Sequence, residues 1–173
     1  MNVINFNRLW SSFPDHVKFP TLKNLYTELG GAAEKNIHVP GFGPNGNTCA
    51  SRLSVAFNKA GTPITQSLAN IVGAQTIGTS SGSRIIFRVS DFRKYLIKTL
   101  GQPKVDNISP YDDNFKGRKG IVAFSVNWQG ATGHIALWNG YSYREPSYDN
   151  YSTYVNSAHP SVKTSRGEFW EIS

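Results

Sequence analysis

The apolar residues of this chain change their period midway, and that switch restricts the folds open to it. In "PTLKNLYTELGGAAEKN" (20–36), Leu22, Leu25, Tyr26 and Leu29 recur at helical spacing, and Gly30-Gly31 ends or bends the helix. "CASRLSVAFNKAG" (49–61) puts Cys49, Leu53, Ala56 or Phe57, and Ala60 on one face; Thr48 or Asn47 can cap its start, and Gly61 closes it. "SDFRKYLIKTLG" (90–101) reads as a third helix, with Ser90 as N-cap, Asp91 in the first turn, and Gly101 and Pro103 as the stop. Beyond residue 118 the pattern becomes strand-like. "KGIVAFSVNW" (119–128) is β-branched and aromatic, "WQGATG" (128–133) is a turn cluster, and "HIALWNG" (134–140) is a second strand. "RIIFRV" (84–89) and "EFWEIS" (168–173) are further strand candidates, while the polar segments 62–83 and 141–166 read as loops. Helices first and antiparallel strands second argue for an α+β domain. With no internal repeat or linker, residues 1–173 are expected to form a single domain.

A chain with one cysteine forms no internal disulfide, so its fold must stand on packing. The net charge of +7 favours polyanionic surroundings. The basic residues are scattered, and "GRKG" (117–120) is the densest group, which falls short of a nucleic-acid-binding tail. No apolar run approaches the roughly 18–20 residues of a membrane span. The N-terminal "MNVINFNRLWSSF" lacks the basic and apolar regions of a secretory signal.

Cys49 stands where a Gly-rich run, "VPGFGPNGNT", meets a helix. A thiolate is the reactive form of cysteine, and the positive end of a helix stabilises an anion. The residue is thus either a buried small hydrophobe or a nucleophile. Of the four histidines, His16, His38 and His159 lie in loop-like sequence and read as exposed. His134 opens a strand after a Gly-rich turn and shares a face with Ala136 and Trp138, so it can project into a cleft. A Cys-His pair needs a third group to orient the imidazole. Asn139, Glu145 and Asp149 are in range; Asn139 sits in "NG" and more readily shapes a turn. Spacing does not choose between the two carboxylates. No metal-ligand spacing is present, and no cofactor is expected.

"NTCASRLS" resembles the Cys-x-x-Arg-x-Ser block of the type VI secretion amidase effector 4 family. "GRKGIVAF" and "GHIALWNG" resemble that family's strand pair, whose second block carries the histidine. "FNRLWSSF" and "VSDFRKYLIKTLGQP" also match in pattern and order, so the resemblance covers nearly the whole chain. It implies a papain-like fold of the NlpC/P60 type, with the nucleophile at a helix start and an antiparallel sheet carrying the histidine. By that resemblance Cys49 is the nucleophile and His134 the general base. The family's third residue is an aspartate eleven positions after the histidine; this chain has Glu145 there, so Glu145 is the expected third catalytic residue and Asp149 the alternative.

The resemblance implies a cysteine amidase that cleaves the γ-D-glutamyl to meso-diaminopimelate bond of peptidoglycan stem peptides. It further implies synthesis in the cytoplasm, export by the type VI secretion apparatus, action in the periplasm of a target bacterium, and a cognate immunity protein as partner. Backbone N–H groups near the start of the Cys49 helix are the expected oxyanion donors. Arg52, one turn after Cys49, is expected to pair with an acidic residue or to contact a stem-peptide carboxylate. Trp138 is expected in the core, and "YSYREPSYDNYSTY" offers an aromatic groove lining. Two other readings are a Cys-His toxin that deamidates or crosslinks proteins, and a non-catalytic wall- or nucleic-acid-binding module with a structural cysteine.

Overall fold

The computed structural model of the protein describes residues 3–43, 46–128 and 133–173. The chain divides into two compact units, one up to Tyr95 and one from Leu96 on.

The first unit opens with α1 (Phe6–Ser12), capped by the Asn5 side chain, and α2 (Leu22–Leu29). A reciprocal cap starts α2: Asn24 N–H donates to Thr21 Oγ1, and Thr21 N–H donates to Asn24 Oδ1. The bend expected at Gly30-Gly31 is present, and α3 (Gly31–Lys35) follows at once. Gly31 has φ +60°, and a Cβ there would meet the Thr79 carbonyl carbon at 2.7 Å, so the turn needs glycine.

The next helix, α4 (Cys49–Lys59), is buried from Cys49 through Phe57 rather than along one face. α1 packs against it, and so does a short strand, Arg84–Ile86. Its polar residues are internal cross-links. Ser54 Oγ donates to the Ile86 carbonyl and accepts the Ile86 N–H, and the Ser51 and Tyr26 hydroxyls lie 2.8 Å apart. Buried polar groups satisfied in this way cost little, so apolar spacing underestimates how deep the helix lies.

Segment 62–83 is more structured than its polarity suggested. It holds α5 (Gln66–Ile71) and β1 (Thr76–Gly78), which pairs antiparallel with β2, the Arg84–Ile86 strand. The strand expected over 84–89 stops at Ile86, because Val89 already starts α6 (Val89–Leu100). Ser90 therefore lies inside α6, while Asp91 turns inward to accept the Gln75 N–H at 3.1 Å.

The second unit is a four-stranded antiparallel sheet in the order β3-β6-β4-β5, made of Lys104–Asp106, Thr164–Glu171, Gly120–Val126 and Gly133–Trp138. β3 was not foreseen, and β6 begins four residues before the expected strand. The hairpin partners β4 and β5 place Phe124 opposite His134 and Gly120 opposite Trp138. Most of the turn expected over 128–133 lies outside the described residues. Val122, Phe124, Ala136, Trp138 and Phe169 form the core with Tyr111 and Phe115, which belong to a 3-10 turn, Tyr111–Phe115. Phe115 stacks on Phe169 at 4.7 Å, and its carbonyl accepts the Trp138 indole N–H. Trp138 is thus a core residue, as expected. Segment 141–166, read as loop, contains the one-turn helix α7 (Pro146–Asp149) and the start of β6.

Candidate active site

In the first unit, Cys49 is the first residue of α4 and is 7% exposed. Its N–H donates to Asn47 Oδ1 at 2.9 Å. Of the two residues offered as caps, Asn47 takes this donor; the Thr48 hydroxyl instead accepts Arg52 Nε at 2.8 Å. The thiol therefore sits at the positive end of an eleven-residue helix whose first turn is pinned by side chains.

Arg52 is 1% exposed. Its Nη1 donates to the Pro14 carbonyl and its Nη2 to the Phe19 carbonyl, each at 2.8 Å. These bonds tie segment 14–19 to the helix one turn beyond Cys49. These donors thus go to two backbone carbonyls and to Thr48. Planar, multi-donor arginine suits such a role better than lysine.

In the second unit, His134 is the second residue of β5 and is 5% exposed. Its Nε2 lies 2.8 Å from Asp149 Oδ1, and both side chains are buried. Asp149 closes α7. Its other oxygen, Oδ2, accepts the Glu145 N–H at 2.9 Å, and its own N–H donates to the Glu145 carbonyl at 2.9 Å. Pro146 at the first helical position preorganises this turn. Glu145 occupies the N-cap position of α7, 8% exposed, with both backbone groups bonded to Asp149. The resemblance points to Glu145 as the third residue, with Asp149 as the alternative. The one joined to His134 Nε2 by this bond is Asp149.

Aromatic and polar neighbours surround the pair. The Tyr151 ring centroid lies 4.8 Å from that of His134. Asp112 braces both ends of the segment that carries Asp149: its Oδ2 accepts the Tyr143 hydroxyl at 3.1 Å, and its Oδ1 accepts the Ser152 hydroxyl at 2.8 Å. Burial, with the charges of Asp112 and Asp149 nearby, holds the Tyr143 phenol well above its usual value, so it keeps the proton it donates to Asp112. Sequence reading missed Asp112, which lies in a polar stretch before the strands and shows no periodic signal.

Asn139 shapes a turn as expected, its Oδ1 accepting the Tyr141 and Ser142 N–H groups. His38 and His159 are exposed, whereas His16 is half-buried. Among the described residues, no group of three or more His, Cys, Asp or Glu side chains is arranged to hold a metal ion, and no helix is long and apolar enough to cross a membrane.

Comparison with known proteins gives one family. The model of type VI secretion system amidase effector protein 4 (Tae4) matches residues 45–170. No curated protein matches. Among solved structures, the chain is similar to the effector in the Tae4–Tai4 effector–immunity complex from Enterobacter cloacae, with a TM-score of 0.78 and 27% identity over 100% of both chains. It is also similar to Tae4 from Salmonella typhimurium in complex with Tai4 from Enterobacter cloacae, with a TM-score of 0.78 and 26% identity over 98% of this chain and 99% of that one. A third similar structure is the Tae4–Tai4 complex from Salmonella Typhimurium, at a TM-score of 0.77 and 27% identity.

Proposed function

Starting from a chain that belongs to the type VI secretion system amidase effector 4 family, we propose that it is a cysteine amidase that hydrolyses peptidoglycan stem peptides. The bond we assign is that between γ-D-glutamate and meso-diaminopimelate. Residues 1–173 are read as one amidase domain of the papain-like, NlpC/P60 type. Support comes from the order of the parts: a helix-borne cysteine first, then a strand-borne histidine held by a carboxylate.

In this reading Cys49 is the nucleophile, His134 the general base and Asp149 the residue that fixes the imidazole. With Nε2 engaged by Asp149, proton exchange with the thiol falls to Nδ1. His134 takes the thiol proton, and Sγ attacks the γ-amide carbonyl carbon. The C–N bond breaks as His134 returns the proton to the departing amine. Water, deprotonated by the same imidazole, then hydrolyses the thioester and restores the thiol. The Asp149 carboxylate stabilises the imidazolium formed in each half-reaction. Glu145 supports Asp149 through its backbone N–H. The Cys49 N–H is already bonded to Asn47 Oδ1, so its use as an oxyanion donor requires Asn47 to yield.

The family places the protein among the effectors of type VI secretion. We read its site of action as the periplasm of a target bacterium. An immunity protein is the expected partner, since the similar solved structures are complexes with Tai4. The His134–Asp149 bond carries the enzymatic reading over a binding module, because a structural cysteine would need no oriented imidazole elsewhere in the chain. The test is hydrolysis of purified peptidoglycan. Release of new amino groups by the wild type and not by Cys49→Ala supports the amidase; no release by folded wild type, or equal release by both, overturns it.

A further inference from the structure

The second unit holds a cleft of about 390 Å³ that the amidase chemistry does not use. Asn107, Ser109, Tyr154, Lys163 and Ser165 line it, over a floor that includes Thr164. Tyr111, also in the floor, is anchored by its hydroxyl bond to the Thr164 carbonyl. The lining mixes an amide, hydroxyls and one amine with two aromatic rings, and carries no carboxylate.

The cleft connects to the histidine through a row of packed rings. Tyr154 packs edge-on against Tyr151 at 5.1 Å, and Tyr151 lies 4.8 Å from His134, so Tyr154 is no more than about 10 Å from the imidazole. Trp128 braces both tyrosines, at 5.1 and 5.7 Å, and its indole N–H donates to the Tyr154 hydroxyl. The wall is also tied to the segment that carries Asp149: the Ser109 hydroxyl donates to the Ser152 carbonyl, and Ser152 bonds Asp112. The ring that borders the cleft is therefore held firmly, and in register with the site.

We propose that this cleft is a binding subsite for an N-acetylated amino sugar, so that the protein grips the glycan strand as well as the stem peptide. A pyranose offers hydroxyls in its plane and an apolar face of C–H groups. The face suits the Tyr154 ring, as apolar body against aromatic surface. The hydroxyls suit Ser109 and Ser165, and the acetamido carbonyl suits donors such as Asn107 Nδ2 and Lys163 Nζ. The volume falls in the range of ordinary small-ligand sites. An acidic ligand would find only Lys163 as a counter-charge, which argues for a neutral sugar ring. The choice of ligand rests on the peptidoglycan reading above.

Binding to the inactive Cys49→Ala protein tests the subsite separately from catalysis. The probes are the disaccharide of N-acetylglucosamine and N-acetylmuramic acid, the free tetrapeptide stem, and the joined disaccharide-tetrapeptide. Backbone NMR shifts locate each probe, and titration gives its affinity. The disaccharide should shift Asn107, Lys163 and Ser165, and the joined ligand should bind more tightly than the free peptide. Asn107→Ala and Lys163→Ala should each weaken disaccharide binding on the order of fivefold, as one lost hydrogen bond would. Absence of disaccharide binding, shifts confined to other surfaces, or unchanged affinity in both variants would overturn the proposal. Wild-type hydrolysis of the joined ligand is read in parallel. Its failure counts against the amidase reading, whereas the shifts decide the subsite.

Discussion

His134 Nε2 and Asp149 Oδ1 lie 2.8 Å apart, and both side chains are shut away from solvent. A hydrogen bond in that setting fixes which imidazole nitrogen faces the carboxylate. The same carboxylate is locked by the Glu145 backbone N–H, so the imidazole is held by a group that is itself held.

Removing the negative charge of Asp149 should therefore cost turnover far more than binding. Asp149→Asn should lower kcat by roughly two to four orders of magnitude with a small change in KM, as for other triads that lose this carboxylate. Glu145→Gln, which keeps the backbone N–H, should cost much less. Steady-state kinetics on a disaccharide-tetrapeptide checks this; the reverse ranking would move the role to Glu145.

Cys49 should be the one alkylated residue and should react faster with iodoacetamide at pH 7 than glutathione does. His134→Ala should slow that reaction, since it removes the base. Intact-mass kinetics reads both. A rate no faster than glutathione's would return Cys49 to a packing role.

Arg52 ties segment 14–19 to α4 through two hydrogen bonds, to the Pro14 and Phe19 carbonyls, and bonds the Thr48 hydroxyl with a third. Arg52→Ala should destabilise the fold by about 3 kcal/mol or more, because buried carbonyls lose their donors. Arg52→Lys should not rescue it, since a point ammonium cannot reach all three acceptors. Urea denaturation of each variant measures the loss.

Burial pushes the Tyr26 phenol up to about 12, against the opposing effect of its bond with Ser51. The unfolded chain loses this proton near pH 10, so it binds fewer protons than the native protein between about pH 10 and 12. The stabilisation is complete below pH 10 and is lost as pH rises through that window. It amounts to roughly 2–3 kcal/mol. Tyr26→Phe should flatten the alkaline fall in stability over that range; chemical denaturation at pH 8, 10 and 11.5 would show it.

Much of the fold was legible where local rules act. The Gly30-Gly31 break, the start of α4 at Cys49 and the β4–β5 pair follow from backbone freedom, capping and β-branched content. The class, helices followed by an antiparallel sheet, follows from the change of period. What stayed hidden depends on distant partners. β1, β3 and α7 are short and polar, and exist because another segment pairs with or caps them. Burial of Ser51, Arg52 and Ser54 is invisible until their acceptors come from residues 14–26 and 86. At the site, Cys49 and His134 stood out by position alone. Glu145 ranked ahead of Asp149 on the resemblance, whereas a one-turn helix decides which carboxylate reaches the ring. Pro146, at the first position of that turn, was the available signal. Asp112 offered none.

The account rests most heavily on which bond is broken, and fragment masses measure that directly. Purified peptidoglycan is digested with wild type and with Cys49→Ala, and the soluble products are analysed by mass spectrometry. The account predicts fragments ending in D-glutamate, and their meso-diaminopimelate-bearing counterparts, from the wild type alone. Cleavage at any other bond, or identical products from Cys49→Ala, would contradict it.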